Sequence, residues 1–116
     1  MSVLIVDDHS SFRASARRLL EAEGFEVVGE AGDGHAAIVA AQQLQPDLVL
    51  LDVQLPDLNG FEVAERLAAL ELPLAVILTS SRNPAEYGQL DRTTAVRGFV
   101  PKADLSGAVL TGLLAT

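Results

Sequence analysis

The chain has 116 residues, 49% hydrophobic and 21% charged, which is enough apolar content for one packed core and too much for a disordered chain. Its 16 acidic residues against 8 basic ones leave a net charge of -8, which opposes binding a polyanion, because affinity for nucleic acid comes largely from cations that neutralise phosphates. Cysteine is absent and no apolar run approaches the roughly 18 residues of a spanning helix; with no signal-peptide pattern at the start, a cytoplasmic domain without thiolate chemistry or membrane attachment is expected.

Residues 3–6, VLIV, form the first predicted strand and run straight into the adjacent acids Asp7 and Asp8. Phe12, Ala16, Leu19 and Leu20 then follow the spacing of an amphipathic helix, which Gly24 closes. A second strand starts near Glu26; Ala37, Ala41 and Leu44 mark the next helix, ended by Pro46. The third strand, LVLL at 48–51, reaches Asp52, and Val63, Leu67 and Leu70 mark a helix ended by Pro73. The fourth, AVIL at 75–78, leads to Thr79. Asn83, Pro84 and Glu86 supply a helix start for a segment reaching Ala95. That segment carries Gly88 inside it and only Tyr87 and Leu90 as large apolar residues, so weak anchoring is expected. The fifth strand, around Gly98–Val100, precedes Lys102.

The last segment, LSGAVLTGLLAT at 105–116, has no charged side chain. Leu105, Val109 and Leu113, at i, i+4 and i+8, are expected to face the sheet. Leu110 and Leu114 then point elsewhere, which makes this helix a candidate surface for a homodimer or another partner.

Strand and helix alternate in a βα repeat over residues 1–116, read as one domain. The strands at 3, 48 and 75 are apolar throughout, as parallel strands covered on both faces are, so they are placed centrally. The second, flanked by Glu26 and Glu30, and the short fifth, preceded by Arg97, go to the edges. The result is an α/β fold, a flavodoxin-like (βα)5 doubly wound parallel sheet in the order 2-1-3-4-5, with its crevice at the carboxyl ends of the strands.

That topology brings Asp7, Asp8 and Asp52 to one crevice, and three carboxylates there need a cation. Mg²⁺ suits a site of two or three carboxylates that keeps room for a phosphoryl group. Thr79 and Lys102 end neighbouring strands and offer a hydroxyl and an ammonium to phosphoryl oxygens. Asp52, alone on the middle strand, is the expected nucleophile, since carboxylates form acyl phosphates.

With "IVDDH", "PDLVLLDVQLPDLNGFE", "ILTSS" and "GFVPK" in this order at βα spacing, the chain resembles the receiver domain of two-component response regulators over essentially all its length. Its wording is closest to the branch whose members usually add a C-terminal helix-turn-helix. The resemblance implies that Asp52 accepts a phosphoryl group from a histidine of a partner kinase or phosphotransfer protein. It further implies Mg²⁺ ligated by Asp8, Asp52 and the backbone carbonyl of Gln54, with Asp7 acting through water. Thr79 and Lys102 bind the phosphoryl oxygens, and Phe99 is the aromatic that changes rotamer when Thr79 moves. Gln54 and Ser81 occupy variable positions that influence slow self-dephosphorylation, and output passes to an unidentified protein.

The sequence departs from the family in two places. Ala103 follows the lysine where many receivers have a cis proline, and a cis bond without proline costs ~3 kcal/mol; Pro101 instead precedes it. The sequence also ends just after its last helix, where the family's DNA-binding tail would follow, which leaves a stand-alone receiver or a piece of a longer regulator, with the first expected. A phosphatase of the haloacid dehalogenase type needs a second Asp two residues beyond the nucleophile, where Gln54 stands. A pseudo-receiver lacks an acid or the lysine, and none is missing here.

Arg13, Arg17 and Arg18 form a basic patch on the first helix, a candidate kinase-docking surface unless Arg17 is spent on Glu21. His9 and His35 read as loop residues, and "GEAGDGHAA" reads as a turn, because its spacing is not that of a nucleotide-binding glycine loop.

Overall fold

The computed structural model describes residues 1–81 and 96–115. Strands β1 (Ser2–Val6), β2 (Glu26–Ala31), β3 (Leu48–Asp52), β4 (Ala75–Ser80) and β5 (Val96–Pro101) alternate with helices α1 (Ser10–Ala22), α2 (Gly34–Leu44) and α3 (Gly60–Ala69), and α4 (Gly107–Leu114) closes the chain. A short 3₁₀ turn, Lys102–Asp104, joins β5 to α4. The helix expected at 83–95, with its weak anchoring, lies outside the described residues.

All strands pair in parallel in the order β2-β1-β3-β4-β5, the predicted doubly wound sheet. Because successive strand residues point to opposite faces, the unbroken apolar strands feed two core layers at once. Leu4, Val6, Val49, Leu51, Val76 and Leu78 meet Ala37, Ala41, Val63, Ala64 and Leu67 of α2 and α3. Val3, Ile5, Leu48, Leu50 and Ile77 meet Ala16 and Leu20 of α1 and Leu110 of α4. Two expected stripe residues fall outside the buried core: Leu44 is partly exposed at the end of α2, and Leu70 lies beyond α3 as its C-cap.

The stripe of the last helix departs from the expected one at Val109, Leu110 and Leu114, while Leu105 and Leu113 pack against the sheet as expected. Leu110 is fully buried and Val109 is 39% exposed, while Leu105, Leu113 and Leu114 pack partly against the same layer. The reason is where the helix starts. Ser106 is the N-cap, its hydroxyl accepting from the Val109 N–H at 3.1 Å, and Leu105 precedes the helix in extended backbone. Helical phase therefore counts from Gly107, and Leu110, Leu113 and Leu114 form an i, i+3, i+4 stripe facing the sheet. Gly98 lets Leu113 approach the sheet closely, since a Cβ there would lie 2.8 Å from Leu113 Cδ2 and push that side chain aside.

Caps fix where α2 and α3 begin. Asp33 accepts from the Ala36 N–H at 2.7 Å to start α2, so within "GEAGDGHAA" only Gly32 and Asp33 form the turn; residues 29–31 end β2, and His35 lies in the first helical turn and not in a loop. Asn59 and Glu62 form a capping box at the start of α3. No helix among the described residues is long and apolar enough to cross a membrane.

Candidate functional site

Parallel register decides which side chains meet. Val6 pairs with Leu51, Asp52 with Thr79, and Thr79 with Val100, so the residues that end β1, β3, β4 and β5 share one level at the carboxyl edge of the sheet. Asp7, Asp52, Thr79 and Lys102 come together there, with Asp8 one residue further along. Asp7 and Asp52 form the floor, at 0% and 4% exposure, and Asp8 lies at the rim with its side chain 37% exposed.

Lys102 bridges the two buried acids. Its Nζ is 2.6 Å from Asp7 Oδ2 and donates to Asp52 Oδ2 at 3.3 Å. The shorter contact misses hydrogen-bond angles, so it is an ion pair, and Asp7 Oδ2 has no hydrogen bond among the described residues. The ammonium also lies 4.7 Å from the centre of the Phe12 ring on α1, a cation–π contact. Burial lowers the Lys102 pKa, but its contact with Asp7 and the charge of Asp52 raise it more, so it stands above the usual lysine value. Burial pushes the Asp52 carboxyl up, with the Asp7 charge adding to it, against the opposing pull of Lys102 and the Gln54 N–H. Three carboxylates facing one ammonium leave an excess of negative charge that a divalent cation would balance.

Asp7, Asp8, His9 and Asp52 can each offer one ligand atom, and these atoms lie within 4.8 Å of one another. This donor set fits a single divalent ion. Thr79 Oγ1 is buried on the same level and has no hydrogen-bond partner among the described residues. An unpaired buried hydroxyl costs ~1–3 kcal/mol, which an incoming oxygen would recover.

The loop after β3 is closed tightly. The Gln54 N–H donates to Asp52 Oδ1 at 3.3 Å, Gln54 bridges to Asn59, and Gly60 N–H donates to Val53 O. Gly60 must be glycine, because a Cβ there would lie 2.6 Å from the Asp52 carbonyl oxygen. Asp57 ties this loop to α2, accepting from the N–H groups of Gly34 at 2.7 Å and His35 at 3.0 Å and contacting His35 Nδ1 at 2.6 Å. Phe99, one residue before Val100 in β5, is partly buried against the α2–α3 layer, and Ser81 is exposed just past β4. The Lys102–Ala103 bond is trans, since the described residues include no cis peptide.

The basic patch on α1 is largely paired. Arg13 Nε and Arg17 Nε reach the two oxygens of Glu30 in β2, at 3.0 and 2.8 Å, and Arg17 also lies 3.6 Å from Glu21. Arg13 donates further to the Asp7 carbonyl at 2.5 Å, so it anchors the end of β1. Sequence reasoning placed Arg13 in a basic patch beside the crevice but missed its hold on the end of β1, missed Phe12 and Asp57 as neighbours of the site, and dismissed His9. Only the position of His9, adjacent to the acid pair, could have flagged it.

Comparison with known proteins follows the same line. The family model described as response regulator receiver domain matches residues 3–109. The positive transcription regulator BvgA of Bordetella pertussis is 41% identical over 100 residues, covering 86% of this chain and 48% of its own length. The DNA-binding transcriptional activator EvgA of Escherichia coli is 33% identical over 104 residues, covering 90% and 51%. The chain thus spans about half the length of these curated relatives. Among solved structures, the signal receiver domain of the response regulator NarL from Mycobacterium tuberculosis superposes with a TM-score of 0.83 at 34% identity, covering 99% of this chain and 97% of the other.

Proposed function

The chain belongs to the response regulator receiver domain family, and on that premise we propose that it is a phosphoacceptor switch whose nucleophile is Asp52. The Asp52 carboxylate attacks the phosphorus of a phosphohistidine on a sensor kinase or phosphotransfer protein; an oxygen–phosphorus bond forms, the nitrogen–phosphorus bond breaks, and the electron pair leaves with the imidazole. Lys102 offsets the charge of the transferring group, and the Thr79 hydroxyl donates to one of its oxygens. Asp8, Asp52 and the Gln54 carbonyl would hold Mg²⁺, with Asp7 acting through water. When bound, the ion supplies charge neutralisation to the phosphoryl oxygens and lets a dianion approach a carboxylate.

Once Thr79 engages the phosphoryl group, Phe99 changes rotamer and alters the surface offered to an output protein. Gln54 and Ser81, beside the acyl phosphate, set the rate of slow self-dephosphorylation. The partners are a cytoplasmic histidine kinase or phosphotransfer protein and an output protein; this acidic chain does not itself bind nucleic acid.

The observation that carries the reading is the Lys102 ammonium shared between two buried carboxylates, level with a buried threonine hydroxyl that lacks a partner. Acetyl phosphate with Mg²⁺ is expected to give a single acid-stable, hydroxylamine-labile adduct by intact mass, absent from Asp52→Asn. Equal modification of both proteins would remove Asp52 as nucleophile, and modification of neither would make the chain an interaction module.

A further inference from the structure

The first residue past the acid pair, His9, carries its imidazole against both acids. His9 is the N-cap of α1, yet its side chain makes no capping hydrogen bond. Its backbone N–H donates to Asp7 Oδ1 at 2.8 Å, which pins the residue over the acids. Nδ1 then lies 3.2 Å from Asp7 Oδ1 and 3.1 Å from Asp8 Oδ1. Two donors at right angles on an ion with bonds of about 2.1 Å stand roughly 3.0 Å apart, so His9 Nδ1 and Asp8 Oδ1 are already spaced as neighbouring ligands of one ion.

Exposure is graded from the floor of the site to its rim. Asp7 is fully buried, Asp8 is 37% exposed, and His9 is 66% exposed on the solvent side, where an ion would arrive. The other histidine is placed differently: His35 Nδ1 is engaged by Asp57 at 2.6 Å, on α2.

We propose that His9 is a nitrogen ligand of the divalent ion, so that this centre, besides Mg²⁺, binds the imidazole-preferring ions Mn²⁺, Co²⁺ and Zn²⁺ more tightly than its oxygen ligands alone would. The proposal rests on the reading above that the carboxylates hold a divalent ion. Its chemical basis is donor softness. An all-oxygen set suits Mg²⁺, whose hard, reluctantly dehydrated ion gains little from imidazole, whereas one nitrogen raises affinity along the series from Mn²⁺ to Zn²⁺. His9 then widens the range of metals that load the switch, while Asp8 and Asp52 decide that a metal loads at all.

The test is calorimetric titration of the wild type, His9→Ala and His35→Ala with Mg²⁺ and Co²⁺, joined to pulsed electron paramagnetic resonance of the Mn²⁺-loaded proteins. His9→Ala is expected to lower Co²⁺ affinity about tenfold or more and to leave Mg²⁺ affinity within about twofold. Nitrogen modulation of the Mn²⁺ signal is expected in wild type and His35→Ala and lost in His9→Ala. Equal loss for both ions, loss for neither, or a wild-type Mn²⁺ signal without nitrogen overturns the assignment of His9. In those outcomes wild-type Mg²⁺ binding still stands, and with it the phosphoacceptor reading. A wild type that binds no divalent ion overturns both.

Discussion

Lys102 Nζ lies 2.6 Å from Asp7 Oδ2 and 3.3 Å from Asp52 Oδ2, so one ammonium beyond β5 holds together the carboxylates that end β1 and β3. The three residues are far apart in sequence and meet only because the strand order sets β1 against β3, with β4 and β5 following on the same side. In the absence of a metal this contact is the main compensation for two buried acids.

Lys102→Met should therefore destabilise the metal-free protein by about 2–4 kcal/mol, because removing one partner of a largely buried ion pair leaves the other charges uncompensated. Mg²⁺ should restore part of the loss by supplying the missing positive charge. Urea unfolding with and without Mg²⁺ measures both; an equal deficit in the two conditions would mean that the ion does not reach these acids.

Asp8→Ala should weaken Mg²⁺ binding by about tenfold or more, whereas Thr79→Ala should change it little, since the first removes a ligand charge and the second only a phosphoryl donor. The same Asp8 change should leave metal-free stability equal or higher by relieving repulsion among the carboxylates. Titration of the two variants side by side decides, and similar affinities would count against Asp8 as a ligand.

Leu110→Ala should cost about 3 kcal/mol as a fully buried leucine facing the sheet, and Val109→Ala should stay within about 0.5 kcal/mol. Chemical denaturation of both variants tests the face of α4. The opposite ranking would restore the outward orientation of Leu110 that simple spacing from Leu105 implies.

Asp57 makes stability depend on acid. Partial desolvation pushes its carboxyl up, but the N–H groups of Gly34 and His35 and the His35 ring pull it well below the usual range. A carboxyl with a depressed folded-state pKa contributes stability that is present above its unfolded value, about 4, and is lost as pH falls below that value. Asp57→Asn should therefore be less stable than wild type at pH 7, and the gap should close steadily below about pH 4. A gap that stays constant with pH would mean that the carboxylate charge is not what holds the loop to α2.

The strands and their order were legible because each apolar run is a local signal and the edge strands carry charge. Asp7, Asp8, Asp52, Thr79 and Lys102 could be placed together because residues ending parallel neighbours must share a level. The face of α4 was legible only in part, at Leu105 and Leu113, since Ser106 resets the helical phase and the leucine spacing continues across that break. His9 was hidden for another reason: a histidine after two acids acquires meaning only when its backbone N–H is seen bound to Asp7. Arg13, Arg17 and Glu30 combine residues from different elements, α1 and β2, whose proximity no local period encodes.

β1 comes first in the chain but takes a central place in the sheet, with β2 on one side and β3 on the other. A nascent chain leaving the ribosome therefore presents Val3–Val6, an unbroken β-prone apolar run, before residues 48–51 emerge to cover its second edge. Such a segment invites pairing with the same segment of a neighbouring chain. Asp7 and Asp8 stand directly at its end, and two like charges repeated on every copy repel in-register stacking. The acid pair that burdens the finished fold with repulsion thus protects the unfinished one from aggregation during synthesis.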